Sequence, residues 1–305
     1  MSNLSITVVI CTWNRADLLD GCLAEMANIK TGPSVDWSIL VIDNGSGDHT
    51  QEVVQKHAAH LPLSSVIERK QGLSNARNRA IDECKSDYIL WTDDDVRVPP
   101  AWVQNYADAA IEYARPAVMG GSIVPDFGDH SPNWLSDGWR RVANAYAVRE
   151  APGHGVPIHR SHQPFGANYA TLTAVQKRFK YDPNLGRSGT AMLSGEEEAV
   201  IGAVLDEGLK GVWLDNVGVR HKIEPFRQRL SYLRSYFAGH GEVDRRVLLE
   251  SSPEEKGKVP RWMLRALLSQ YLTYLRKRHL ERACDWLDSY AKFAFTLGEW
   301  RAWRD

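Results

Sequence analysis

Four short apolar runs, each separated from the next by a helical pattern, constrain this 305-residue chain more than any other feature. "ITVVIC" (6–11), "WSILVID" (37–43), "SSVIER" (64–69) and "DYILWT" (87–92) read as strands. The most apolar of them lack the in–out alternation of a half-exposed strand, as in a sheet covered on both faces. Between them, Leu19, Cys22, Leu23 and Met26 fall at i, i+3, i+4 and i+7, and Ala76, Ala80 and Cys84 recur every fourth residue, both helical spacings. "HTQEVVQKHA" is a further helix, and Pro99-Pro100 opens another from about Ala101 to Tyr113. "AVMGGSIV" (117–124) supplies a fifth strand. Strands alternating with helices predict an α/β, Rossmann-like fold: a mostly parallel sheet with helices on both faces. In such sheets ligands bind at the carboxyl ends of the strands. Thr12–Arg15, Asp43–Ser46 and Asp93–Asp95 each follow a strand, so three polar clusters should converge on one edge.

The rest of the chain is less regular. Residues 125–163 are rich in Pro, Gly, His and Asp, the composition of a lid or binding loop. "LSGEEEAVIGAVLDEG" (193–208) reads as a helix stopped by Gly208, and 211–221 as one or two short strands. From about residue 225 the pattern is all-helical, with "SSPEEKGKVP" (251–260) as a linker. A formal net charge of −1 gives no global attraction to nucleic acid or anionic lipid. Four cysteines without metal-ligand spacing predict reduced thiols in a cytosolic protein. The N-terminal run predicts neither a leader nor a membrane span.

The triplet Asp93, Asp94 and Asp95 poses a physical question, because adjacent carboxylates raise the cost of ionising one another unless something compensates. A strand-end Asp-x-Asp can hold a hard divalent cation, Mg²⁺ or Mn²⁺. An extended backbone would set Asp93 and Asp95 on one side and Asp94 on the other. The alternative is a solvated acidic turn. Asp43 suits a nucleobase N–H or a ribose hydroxyl, or equally an Asx-turn. Arg15 and Arg77 offer planar forks for phosphate or a base edge, although an isolated helical Arg usually faces solvent.

Taken in order, "VVICTWNRADLL", "VIDNGSGDHT", "GLSNARNRAI", "YILWTDDDVRVPPAWV", "GGSIV", "FGANYA" and "LSGEEEAVIGAVLDEG" resemble the family 2 glycosyltransferases over roughly residues 5–245. The resemblance implies a GT-A fold, a nucleoside-diphosphate-sugar donor of the UDP, GDP or dTDP type, and inversion at the anomeric carbon. It implies Thr12, Arg15, Asp43, Arg77 and Asp94 at the nucleotide, and Asp93 and Asp95 at the metal with His221 completing the shell. It further implies Gly166, Ala167 and Asn168 in the donor and acceptor pocket, with Trp134 from the lid. A base must take the acceptor proton. The family usually carries Glu-Asp where this chain has Glu196-Glu197, so Glu197 is the expected base and Glu196 the second choice. Only one of Glu196, Glu197 and Glu198 should enter a cleft well, since helical neighbours diverge by about 100°. Acidic residues also simply stabilise a helix N-terminus.

The expected organisation is a GT-A domain over 1–250, with a nucleotide half at 1–124 and an acceptor half with its lid at 125–250, then a helical extension over 251–305. The expected reaction is metal-assisted glycosyl transfer to a hydroxyl of a glycan or small molecule. The alternatives are a non-catalytic nucleotide-sugar-binding protein, a retaining transferase and a nucleotidyltransferase. The loop histidines His154, His159 and His162 read as lid residues rather than zinc ligands. The C-terminal helices, one with Trp262, Leu264, Leu267, Leu268, Tyr271, Leu272 and Leu275 before "RKRH" and one with Trp286, Leu287, Tyr290 and Phe293, read first as packing on the main domain or on another subunit of a homo-oligomer. Their second reading is contact with lipid head groups at the inner membrane face.

Overall fold

The structure is a computed structural model that describes residues 3–183, 187–188, 191–192, 195–251 and 257–304. Its first part alternates as the periodicity predicts: β1 (Leu4–Thr12), α1 (Ala16–Met26), β2 (Val35–Asp43), α2 (Thr50–Ala58), β3 (Leu63–Ile67), α3 (Leu73–Glu83) and β4 (Tyr88–Asp93). Then come β5 (Val96–Arg97), α4 (Trp102–Glu112), β6 (Val118–Asp126), α5 (Asn133–Gly138) and a 3-10 segment, Trp139–Tyr146. The remainder is β7 (Tyr169–Leu172), α6 (Thr173–Gln176), β8 (Arg187–Ser188), β9 (Ala191–Met192), α7 (Glu196–Asp206), β10 (Gly211–Lys222), α8 (Leu230–Ser251), α9 (Arg261–Leu280) and α10 (Ala283–Arg304).

The main sheet runs β3-β2-β1-β4-β7-β6-β10-β5. β1 is parallel to both β2 and β4, and β2 to β3. β1 is therefore the switch point at which the strand order reverses, the place where such sheets open a crevice. Register aligns the strand ends: Thr12 lies opposite Asp43, and Cys11 opposite Asp93. Strand β1 shows why the sequence carried no alternation. Ile6, Val8 and Ile10 pack into the core on one face, Val9 into the core on the other, and all four are buried.

Three features depart from the sequence reading. β7 enters the sheet antiparallel to β4 and β6, so the parallel order stops at β4. Residues 211–222 form one strand of 12 residues, longer than the one or two short strands expected there. The chain also divides into compact units at places other than 250/251: Met1–Val124 with Arg149–Lys222, and Pro125–Val148 with Ile223–Asp305. The lid expected within 125–163 is thus split, and its first half belongs with the C-terminal helices. That second unit has its own core of Leu135, Tyr146, Ile223, Leu233, Trp286 and Leu287. Within it α8 and α10 touch backbone to backbone, since a Cβ on Gly298 would sit 1.8 Å from the Ala238 carbonyl oxygen.

Asp87, just ahead of β4, ties that strand to the start of β1. It accepts hydrogen bonds from the Ser5 backbone N–H (2.9 Å), from the Ser5 hydroxyl (2.8 Å) and from Arg115. Burial opposes its ionisation, but the Ser5 and Arg115 donors outweigh it and hold the carboxyl below its ordinary range. Asp87→Ala is expected to cost about 1–3 kcal/mol at neutral pH. The contribution is complete above the unfolded carboxyl's pKa of about 4 and disappears as pH falls through the depressed native value. Urea unfolding of both proteins should therefore show a gap that narrows in acid.

Candidate active site

The loops after β1, β2 and β3 are laced together before any functional side chain is placed. The Asn14 N–H donates to the Ser46 hydroxyl at 2.9 Å, and the Gly47 N–H donates to Asn14 Oδ1 at 2.7 Å. Asn44 donates to the carbonyls of Glu68 and Lys70 and accepts from the Gly72 N–H. Asp43 belongs to this lacing. Its Oδ1 accepts from the Ser46 N–H (2.8 Å) and its Oδ2 from Gln51 (2.6 Å), the Asx-turn arrangement that the sequence held open beside base recognition. Each oxygen keeps a second lone pair.

The acidic tip of β4 does not follow strand alternation. The strand ends at Asp93, and Asp94 and Asp95 form a turn into β5. Asp94 therefore does not point away from Asp95, because one guanidinium holds both. Arg15 places Nη1 2.6 Å from Asp94 Oδ1 and Nη2 2.6 Å from Asp95 Oδ2. The Thr12 hydroxyl donates to Asp94 Oδ2 at 2.7 Å. The pairing of β10 with β5, with His221 opposite Val96, brings His221 Nε2 to 3.3 Å from Asp95 Oδ2. The three carboxyls consequently differ. Burial, reinforced by the charge of Asp95, raises Asp93 above its ordinary range. Burial likewise pushes Asp94 up to about 7, against the opposing charge of Arg15. Asp95 is also buried, yet the His221 and Arg15 donors override that and hold it low. Nearby Cys11 is pushed up to about 12 by burial, which makes it an unreactive thiol.

Arg77 centres a second cluster. Its side chain is 4% exposed and meets Glu196 at 3.1 Å through Nη1 and Glu197 at 2.6 Å through Nη2. The guanidinium also lies 5.2 Å from the ring centre of Tyr181, a partner that no local pattern in the sequence announces. Arg77 is therefore not on a solvated helix face. Two carboxylates of α7, not one, turn inward together, and Glu198 is exposed. The expectation of a single inward carboxylate fails because both can reach one planar fork. Gly195, at φ +109°, makes the turn that starts α7. Gly166 lies against the ion pair: a Cβ there would fall 2.2 Å from Glu197 Oε1 and 2.4 Å from Arg77 Nη2. Asp93 senses this cluster as well as its own, since the charges of Arg77 and Glu197 both act on it.

Three residues expected in the pocket have other roles. Asn168 is fully buried, and its amide is saturated: Oδ1 accepts from Trp102 and Tyr106, and Nδ2 donates to the carbonyls of Ser122 and Val217. It binds strands and α4 together and has no hydrogen bond left for a sugar. Ala167 is part of the main core. Trp134 packs in the second unit, 6.1 Å from Trp286, because a large apolar ring finds more burial there than in a loop. Of the loop histidines, His154 meets Asp215 at 3.0 Å and His162 packs on Trp213.

Among the described residues no group of three or more His, Cys, Asp and Glu stands ready to hold a metal ion. The residues nevertheless fit a cation that draws most of its ligands from elsewhere. Asp95 Oδ1 is buried without a hydrogen-bond partner, and a cation would offset the burial that disfavours the charged form of Asp93.

Comparison with known proteins agrees with this geometry. The family described as "Glycosyl transferase family 2" matches residues 7–168, and the chain belongs to it. Chondroitin synthase of Escherichia coli is 30% identical over 41% of this chain and 18% of its own length. Validoxylamine A glucosyltransferase of Streptomyces hygroscopicus subsp. limoneus is 32% identical over 37% of this chain and 24% of its own. The chain thus spans less than a quarter of either relative. Among solved structures, S. aureus TarS 1-349 superposes with a TM-score of 0.56 at 15% identity, covering 77% of this chain and 65% of that one. The Pyrobaculum calidifontis mannosyltransferase PcManGT, in complex with GDP-Man and Mn²⁺, superposes at 0.54 with 17% identity, over 96% of this chain and 74% of the other. These likenesses establish the GT-A fold.

Removing the central cation tests the Arg77 cluster. Arg77→Met should lower the unfolding free energy by about 3–5 kcal/mol, because it leaves Glu196 buried and uncompensated. Combining it with Glu196→Gln should restore part of the loss in a denaturation cycle. If the two effects simply add, the pair is not coupled.

Proposed function

We propose that this chain transfers a glycosyl group from a nucleoside-diphosphate sugar to an acceptor hydroxyl, with inversion. One observation supports the reading: β7 pairs antiparallel with β4, Trp91 opposite Tyr169, so Gly166 and the Arg77–Glu197 pair beside it lie toward the same strand end as the acidic triplet. A displacement reaction needs leaving-group stabilisation on one side of the reacting carbon and a proton acceptor on the other. The neighbours solved with UDP, UDP-GlcNAc and GDP-Man support a nucleotide-sugar donor, and the Mn²⁺ of one supports a divalent cation.

In this reading Thr12, Arg15, Asp43 and Asp94 form the nucleotide end. Arg15 is about one-third exposed, so its fork can exchange Asp94 and Asp95 for phosphate oxygens. Asp93 and Asp95 would hold Mg²⁺ or Mn²⁺, which when bound neutralises charge on the departing diphosphate. His221 steadies Asp95. Glu197 accepts the acceptor proton, and Arg77 fixes the direction of its carboxylate. Gly166 keeps the space above that pair clear. Glu196, wholly buried, anchors the other half of the Arg77 fork.

A screen of UDP, GDP and dTDP sugars, with Mn²⁺ or Mg²⁺ and then with chelator, should find one donor class whose turnover the chelator abolishes. Glu197→Gln should lower kcat by about 10²–10⁴-fold, the usual worth of a general base, with donor affinity by thermal shift little changed. Donor binding without turnover in the wild type would instead identify a sensor. Proton NMR of the product fixes the anomeric outcome, and retention would remove Glu197 from the base role. Gly166→Ala should reduce kcat with only modest loss of stability, because the added methyl displaces Glu197 from Arg77. Unchanged kcat would separate that pair from the chemistry.

A further inference from the structure

We propose that the exposed face of α9 docks this protein on an anionic lipid surface. The helix turns Met263 and Tyr274 into the second unit's cores and buries Leu267. It leaves Leu264, Leu268, Tyr271 and Leu272 between 41% and 61% exposed. At about 100° per residue these four occupy a continuous arc beside the buried one, and Arg265 and Arg276 edge its far side. Leu268 and Leu272 lie with those two arginines, Ser269 and Thr273 in a shallow groove of about 440 Å³.

Charge selects the occupant. α9 carries Arg261, Arg265, Arg276, Lys277 and Arg278 and contains neither Asp nor Glu. Lys277 meets Glu281, just past the helix, and Arg278 stacks on Tyr274 and Trp286. Among the described residues no carboxylate pairs with Arg261, Arg265 or Arg276. In a chain whose net charge is −1, this is a strongly local excess. A bilayer answers both halves of the face: leucines enter the acyl boundary while guanidinium groups meet lipid phosphates. Tyr271, within the arc, is a side chain suited to that depth. A second copy answers less well. A two-fold contact through this face sets arginine against arginine without a carboxylate between them. No helix among the described residues is long and apolar enough to cross a membrane, so the contact is one of lying on the surface. The proposal stands apart from the glycosyl-transfer reading, and its test needs no substrate.

The experiment is flotation of the full chain with vesicles of phosphatidylcholine alone and of phosphatidylcholine mixed with phosphatidylglycerol. The wild type should float with the mixed vesicles, weakly with the neutral ones, and less as salt rises. Arg265→Glu with Arg276→Glu should weaken binding to the mixed vesicles by about tenfold or more. Leu268→Glu with Leu272→Glu should abolish it. These side chains are exposed, and far-UV circular dichroism checks that the variants remain folded; the comparison of the two vesicle types needs the wild type alone. Failure to float with either vesicle overturns the proposal, as does flotation that ignores the arginine reversal. Gel filtration showing a wild-type dimer that the leucine variant dissolves, with no lipid binding, assigns the face to a second copy instead. Binding of polyglutamate without binding of vesicles assigns it to an acidic protein partner.

Discussion

Three carboxylates at the end of one buried strand are the constraint around which this structure is organised. Inside a protein an uncompensated charge is far more costly than in water, and adjacent like charges compound the cost. Asp94 and Asp95 are both nearly inaccessible, and the fold answers with Arg15 from the loop after β1 and His221 from β10. Those compensating groups arrive from opposite sides of the triplet along the sheet, because β1 flanks β4 while β10 pairs with β5. Charge compensation at the tip therefore depends on the whole sheet order, and not on any short stretch of chain.

The Arg77 cluster repeats the logic with the signs exchanged. One buried cation accepts two carboxylates from the start of α7, and Gly166 leaves the room in which they meet. In each cluster an arginine offsets part of the carboxylate charge. Such a site is preorganised without being strained. In the proposed reading a phosphate would replace carboxylate contacts at Arg15, and so need not create a cation site from nothing. The proposed division of labour follows from this. Groups at the strand tip handle the charge that leaves, and groups at the helix start handle the proton that is taken.

Membership of family 2 and the GT-A likeness place the sheet and its crevice in a known class. They leave the acceptor open, since the curated relatives are much longer than the part this chain matches. The second compact unit has a core of its own. It gathers residues 125–148 with the C-terminal helices around an aromatic core, and it carries a basic helix with an apolar outer face. Such a surface concerns where the protein works more than what it does.

Much of the fold was readable because strand and helix periods are local properties of the chain. The four leading strands, their helices and the convergence of Thr12, Asp43 and Asp93 on one edge follow from spacing alone. Asn168, Ala167 and Trp134 were expected to line a pocket, and their observed packing contacts were not legible, because an amide or an indole reveals its partners only when distant segments meet. Tyr181, Gln51 and the Asn14–Ser46 lacing carried no signal in the sequence for the same reason. The sequence by itself thus determined the α/β order, the strand-end position of the acidic triplet and the identity of the arginines. Tertiary structure alone decided that Arg15 grips Asp94 and Asp95, that Arg77 holds two glutamates, and that residues 125–148 join the C-terminal helices. Each of those outcomes is a choice of partner far apart along the chain, made by desolvation and pairing in the folded interior, and local periodicity does not encode it.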